Sequence, residues 1–306
     1  EIRHISMPQA YRYYPCIAIA LILAIGGGCP EQRTVPPGRS SPGPVVTTLS
    51  PGDTSGFAQS WNRKVFDHGL WDGVVRKHVD EQGRVDYAAI ARSVEFREYL
   101  WRLSKTDAAG LRDDRQRLAF WINAYNALTI QSVLQTLPQD AALWPEYSVQ
   151  DVKIEGLSLW KGIEFDVGGG RRTLDAIEHE ILRKQDGLRD PRIHVALVCA
   201  ARGCPSLWNR AYTGERIKKQ LAEAMRRFVN DKRQCTIDLV HGVIRTSKVI
   251  KWYGGDFTAP SFSPHASSVP AFMALRVDDS ALAEALKSRH WRFEYLDYDW
   301  KLNLRR

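Results

Sequence analysis

The sequence predicts an α+β fold: one globular domain, helix-rich around a central buried helix, with a small sheet. Three observations predict it. Apolar residues recur at helical spacing more often than in strand-like runs. The two kinds of segment do not alternate strictly, as a doubly wound parallel sheet requires. The longest helical stretch is apolar nearly all round, the mark of a helix with neighbours on every side. The chain has 306 residues, 44% hydrophobic and 25% charged, and its ten Trp, eleven Tyr and ten Phe supply a sizeable core.

The N-terminus reads as an address. Arg12 precedes an uncharged apolar run from Cys16 to Ile25, followed by Gly26-Gly-Gly-Cys29. A basic start, a short apolar stretch and small residues describe an export signal. The run is too short for a bilayer-spanning helix, which needs roughly 20 residues. Cys29 after small residues resembles a bacterial lipobox, although Gly26 stands where that pattern usually has Leu. Residues 1–29 are therefore expected to be a signal or lipoprotein-type export segment. Residues 30–56 are rich in Pro, Gly, Ser and Thr, and are expected to be a disordered linker. Residues 57–306 form the globular domain.

Within the domain, Phe66, Leu70, Val74 and Val75 predict a first helix over 66–79. A short extended piece follows at Gly83–Tyr87, and another helix over 96–103. The central helix is predicted over 115–137, where no charge occurs from Leu118 onward and Pro138 supplies the stop. Asn123 and Asn126, three apart, share one side of it and need partners if buried. They either bind loop backbone or line a site and orient a reacting group. Gly168-Gly-Gly170 reads as a hairpin turn, not a phosphate loop. A helix is predicted over 173–184, with Asp175 and Glu178 at capping-box-like spacing. The run Ile193–Cys199 reads as a buried strand, and an amphipathic helix follows over 215–229. Val243–Thr246 is a strand, Ser247 an N-cap for a helix over 248–253, and Gly254 its stop. A helix over 282–286 and a closing strand over 293–298 complete the domain.

Several stretches together resemble the uncharacterised family "domain of unknown function 547". They are Phe120-Trp-Ile-Asn-Ala-Tyr-Asn-Ala-Leu128, Leu174-Asp-Ala-Ile-Glu-His179, Asp190-Pro-Arg-Ile-His194, Ala196-Leu-Val-Cys199, Cys204-Pro205, Ser247-Lys248, Trp252-Tyr253 and Tyr298-Asp-Trp-Lys-Leu-Asn303. The likeness covers residues 61–304, in order. It implies relatives among bacterial exported proteins and plant proteins but supplies no reaction, so chemistry has to come from the residues.

The candidate catalytic residues are Cys199, Cys204, His179, His194 and Glu178. Asn123, Asn126, Arg202, Lys248, Trp252 and Tyr253 are candidates for binding or orienting. Thiol catalysis needs a thiolate, a base to make it and a group to orient the base. Cys199 ends an apolar run and opens a Gly-containing loop. Cys204 precedes Pro205, a residue favoured at a helix start, where the backbone dipole stabilises a thiolate. On a regular strand His194 and Cys199 fall on opposite faces, which favours His179 as base. The two cysteines also permit a disulfide across the loop, leaving Cys235 over.

Three activities follow as expectations. One is a cell-envelope thiol-dependent hydrolase or acyl transferase. Another is a non-catalytic, membrane-tethered binding or scaffold domain. The third is a thiol–disulfide redox protein. Expected partners are a peptide, acyl group or protein in the envelope, and the membrane through an N-terminal lipid or anchor. The location expected is periplasmic or outer-surface. No cofactor and no metal is expected. The net charge of +8 comes from scattered Arg residues without interleaved aromatics, so nucleic acid is not an expected partner.

Overall fold

The computed structural model describes residues 64–305. The expected export segment, the expected linker and the candidate lipidation residue Cys29 lie outside the described residues.

Three helices open the domain: α1 (Gly69–His78), α2 (Tyr87–Arg92) and α3 (Val94–Lys105). The starts of α2 and α3 are set by short polar side chains. Asp86 accepts from Ala89 N–H at 2.9 Å, and Ser93 accepts from Phe96 N–H at 3.1 Å. The central helix α4 (Asp114–Thr136) begins at Asp113, whose carboxylate accepts from Gln116 N–H. Every residue from Leu118 to Val133 is buried, as the nearly all-round apolar pattern predicts.

Two hairpins follow: β1 (Lys153–Ile154) with β2 (Leu157–Ser158), then, after the one-turn helix α5 (Leu159–Gly162), β3 (Glu164–Val167) with β4 (Gly170–Thr173). Gly168 and Gly169 form the second turn, both with positive φ, at 62° and 90°. That conformation suits a two-residue hairpin. A Cβ on Gly168 would also lie 2.2 Å from the Trp121 ring, so this turn closes against the central helix.

The predicted helix over 173–184 is there in altered form. Thr173, not Asp175, is its cap, accepting from Ala176 N–H at 3.1 Å. The short α6 (Leu174–Ala176) widens into a π-helical turn over Ile177–Leu182.

The predicted strand Ile193–Cys199 is a misreading. Pro191–Val195 is a 3₁₀ turn with Asp190 capping Arg192 N–H, and residues 196–199 are irregular. The backbone there bonds a side chain instead of a strand. Asn126 Nδ2 donates to Ala196 O at 2.9 Å, and Val198 N–H donates to Asn126 Oδ1 at 2.9 Å. With no pleat, the opposite-face reasoning for His194 and Cys199 does not apply. No helix starts at Pro205 either, so no helix dipole acts on Cys204.

The rest of the domain forms a second apolar cluster beside the first. It comprises α7 (Ile217–Asn230), β5 (Cys235–Asp238), β6 (Val243–Thr246), α8 (Lys248–Tyr253), α9 (Val269–Ala274), α10 (Ser280–Ser288) and β7 (Arg292–Tyr295). β6 lies between an antiparallel β5 and a parallel β7. Ser247 caps α8 as predicted, but the chain past Gly254 continues as a 3₁₀ turn to Phe257. β7 ends at Tyr295, short of the predicted 298. The tail beyond it returns to the first cluster, with Asn303 N–H on Ala200 O and Val85 N–H on Asn303 O. Among the described residues no helix is long and apolar enough to cross a membrane.

Candidate functional site

The predicted residues converge only in part, and the centre of the group is Glu178. The π-helical turn sets its carboxylate against the central helix, where the Tyr125 hydroxyl donates to Glu178 Oε2 at 3.2 Å. Such turns recur at functional sites because the extra residue re-aims a side chain. Tyr253 from the end of α8 and Tyr298 from the tail stand near the same carboxylate. Burial, and next the Glu178 charge, push the hydroxyls of Tyr125, Tyr253 and Tyr298 well above the ordinary tyrosine range.

His194 lies behind Glu178. Its side chain is 1% exposed, and its ring stacks on Tyr253 with centroids 3.9 Å apart and 10° between planes. Nε2 is 2.8 Å from Asp256 Oδ2. Asp256 is gripped from the other side by Arg183, whose Nε and one terminal nitrogen donate to the two oxygens at 2.7 and 2.9 Å. This bidentate fork is a strong, directional ion pair. Burial raises the Asp256 carboxyl, but the bonds from His194 and Arg183 outweigh it and hold the pKa down at about 2. Burial lowers the His194 pKa, against the pull of Asp256. At neutral pH the ring is therefore neutral, Nε2–H donates to Asp256, and Nδ1 keeps its lone pair. That Nδ1 is buried with no hydrogen-bond partner in the protein, 4.0 Å from Glu178 Oε1.

His179, the base preferred from sequence, occupies the outer edge. Its Nδ1 is 3.1 Å from an Arg183 nitrogen, its Nε2 is 3.8 Å from Asp175, and its ring is 6.4 Å from that of Tyr253.

Cys199 and Cys204 are joined in a disulfide, and Cys235 is a free, buried thiol that burial pushes up to about 12. The Tyr298 hydroxyl donates to Cys204 Sγ at 3.0 Å and lies 3.2 Å from Cys199 Sγ. Cys199 N–H also donates to Cys204 Sγ at 3.0 Å. Among the described residues, no imidazole is hydrogen-bonded to either sulfur. Two backbone features hold this loop. Ala200, next to Cys199, has φ of 66°, a left-handed conformation costly for a residue with a Cβ. A Cβ on Gly203 would meet Asp299 N at 2.8 Å and the Tyr298 ring at 3.0 Å. Glycine there lets the tail lie close enough for Tyr298 to reach the sulfurs. Cys204 and Tyr298 line an open cavity of about 330 Å³, together with Gly83, Arg202 and Ser247.

The remaining candidates take supporting places. Asn123 is bonded at both ends to Tyr212 backbone, at 2.7 and 3.0 Å, as Asn126 is to the Cys199 segment. Arg202 donates to Leu302 O, and Lys248 faces Asp297 at 3.6 Å. Trp252 is half exposed and packs against Tyr298 and Trp300. Asp256, Arg183, Tyr125 and Tyr298 are the site residues that sequence reasoning missed. Gly254-Gly-Asp256 reads locally as a helix stop, and nothing nearby signals a buried carboxylate.

No curated protein and no solved structure matches the chain. A family model described as "Protein of unknown function, DUF547" matches residues 109–229. That span holds Tyr125, Glu178, Arg183, His194, Cys199 and Cys204, while Tyr253, Asp256 and Tyr298 come from beyond it. Over residues 109–229 the chain matches the model of DUF547, the family its motifs resemble.

Proposed function

We propose that the protein carries out thiol–disulfide exchange at Cys199–Cys204 with a cysteine-bearing polypeptide. The observation that carries this reading is the pair of donors on Cys204 Sγ: Cys199 N–H and the Tyr298 hydroxyl, each at 3.0 Å. A sulfur leaves a disulfide as a thiolate, and it leaves faster the better that thiolate is stabilised. Cys199 is the more exposed sulfur residue and Cys204 the better held. An incoming thiolate attacks Cys199 Sγ and forms a mixed disulfide. The Cys199–Cys204 bond breaks, and its electron pair goes to Cys204 Sγ, caught by the two donors. A second thiolate of the partner then attacks the mixed disulfide, so the partner leaves oxidised and this protein carries two reduced cysteines. On its N-terminal sequence we place the protein outside the cytoplasm, tethered through Cys29, where disulfides persist.

Equilibration with glutathione buffers tests this. The disulfide is expected to exchange at a potential above about −300 mV, the range below which structural disulfides lie. Tyr298→Phe is expected to lower that potential by about 30–65 mV, the equivalent of one hydrogen bond to a charged sulfur. A bond that resists the glutathione range in the folded protein would sink the proposal and leave the scaffold reading.

A second reading, the cysteine-dependent hydrolase or acyl transferase, is favoured by the Asp256–His194 pair with its free Nδ1. It requires prior reduction of the disulfide. It predicts one thiol that iodoacetamide labels first at neutral pH, and acyl turnover that survives loss of one cysteine but not the other. Exchange needs both.

A further inference from the structure

His194 Nδ1 and Glu178 Oε1 face each other at 4.0 Å, with the ring 1% and the carboxylate 12% exposed. Both are acceptors while the ring is neutral. The Nε2 proton is committed to Asp256, and Asp256 is fixed by the Arg183 fork. The other Glu178 oxygen already receives the Tyr125 hydroxyl, and the Tyr253 hydroxyl also reaches this carboxylate. The gap is too long for a direct hydrogen bond. It is the span across which one small donor atom touches both sides. Two desolvated acceptors facing each other are costly, and proteins pair such groups unless function keeps them apart. The surroundings agree: the carboxylate sits on a π-helical turn, and the stacked Tyr253 ring holds the imidazole in plane.

We infer that Glu178 and His194 form an acid–base site, separate from the cysteine pair, that binds an O–H or N–H group between Oε1 and Nδ1 and takes its proton. The transfer breaks the X–H bond, forms N–H at Nδ1 and leaves the electron pair on X. The resulting imidazolium lies between two carboxylates, Asp256 at Nε2 and Glu178 at Nδ1, which stabilise it as it forms. Asp256 and Arg183 are positioning residues, since they act through the ring. His179 and Asp175 stand outside this pair, at the edge of the same turn. The ligand class is a hydroxyl, amine or water, which is the proton-bearing partner that hydrolytic and transfer reactions activate.

Nitrogen-15 NMR of the histidine rings, with Glu178→Gln beside wild type, tests the site. In wild type at pH 7 the His194 Nδ1 is expected at the downfield position of an unprotonated imidazole nitrogen, with the proton on Nε2. In Glu178→Gln the amide oxygen still accepts from Tyr125 while its N–H₂ faces Nδ1 across the same 4.0 Å, so a donor and an acceptor replace two facing acceptors. Its Tm is therefore expected to rise by about 2–4 °C. A doubly protonated ring in wild type, or a lower Tm in the variant, overturns the inference, because either means a charged pair that holds the fold. A Cys199→Ser, Cys204→Ser double variant keeps the wild-type ring signature, so this result stands apart from that of disulfide exchange.

Discussion

Ala200 shows how a single residue can hold the loop between two bonded cysteines in shape. Its backbone is left-handed at φ 66°, beside Cys199 and 2% exposed. A left-handed alanine costs roughly 1–2 kcal/mol, and glycine removes that cost while adding about 0.5–1 kcal/mol of unfolded-chain entropy. Ala200→Gly is therefore expected to raise stability by about 0.5–1 kcal/mol in urea unfolding. It is also expected to loosen the loop, seen as faster reduction by dithiothreitol. Equal or lower stability would show that the conformation costs nothing. Much of this residue-scale chemistry was legible in advance. Glu178, His194, Cys199 and Cys204 are all singled out by their types and motifs; the structure sets Glu178 against His194 at 4.0 Å and bonds Cys199 to Cys204, as two separate pairs. Their pairing was not legible, because Asp256 and Tyr298 come from segments with no local sign of burial. The preference for His179 as base rests on a strand geometry that Asn126 replaces with side-chain bonds.

Among elements, α4 carries the organisation of the site. It is buried all round, and its two asparagines turn it into a bracket for loops. Asn126 satisfies Ala196 and Val198 backbone groups, and Asn123 does the same for Tyr212. Removing one such amide leaves two buried backbone groups unpaired, at about 1–3 kcal/mol each. Asn126→Ala is expected to cost about 2–4 kcal/mol in urea unfolding and to shift the amide resonances of 196–200 first. A loss under 1 kcal/mol would mean that the loop is held from elsewhere. The helix itself and the spacing of its amides are plain in the sequence, since the periodicity from Leu118 to Val133 has one structural solution. The run it holds was misread because β-branched, buried segments look alike whether their partner is a strand or an amide.

For the molecule as a whole, acid is the expected weakness. His68 is buried against Tyr99, with Nδ1 2.8 Å from the hydroxyl, and desolvation lowers its pKa from 6.5 to about 3. The His194 pKa is lowered by burial as well. Both are neutral when folded and bind a proton when unfolded below pH 6.5, so stability rises with pH in that window and is lost as pH falls through it. Each contributes a slope of up to about 1.4 kcal/mol per pH unit. Asp256, held at about 2 against an ordinary 3.8, extends the loss to lower pH with the same sign. Urea midpoints are expected to be level near neutral pH and to fall steeply between pH 6 and 4. His68→Gln, which retains a partner for Tyr99, should flatten that fall. An unchanged slope in the variant would place the acid sensitivity in other groups.

The contact between Tyr298 and Cys204 joins positions 94 residues apart. On a nascent chain both cysteines emerge well before the tyrosine that later shelters them. Oxidation can thus take place on an open loop, and arrival of the tail seals a bond already made. A chain that ends anywhere between Cys204 and Tyr298 keeps both cysteines but lacks the hydroxyl bonded to Cys204 Sγ.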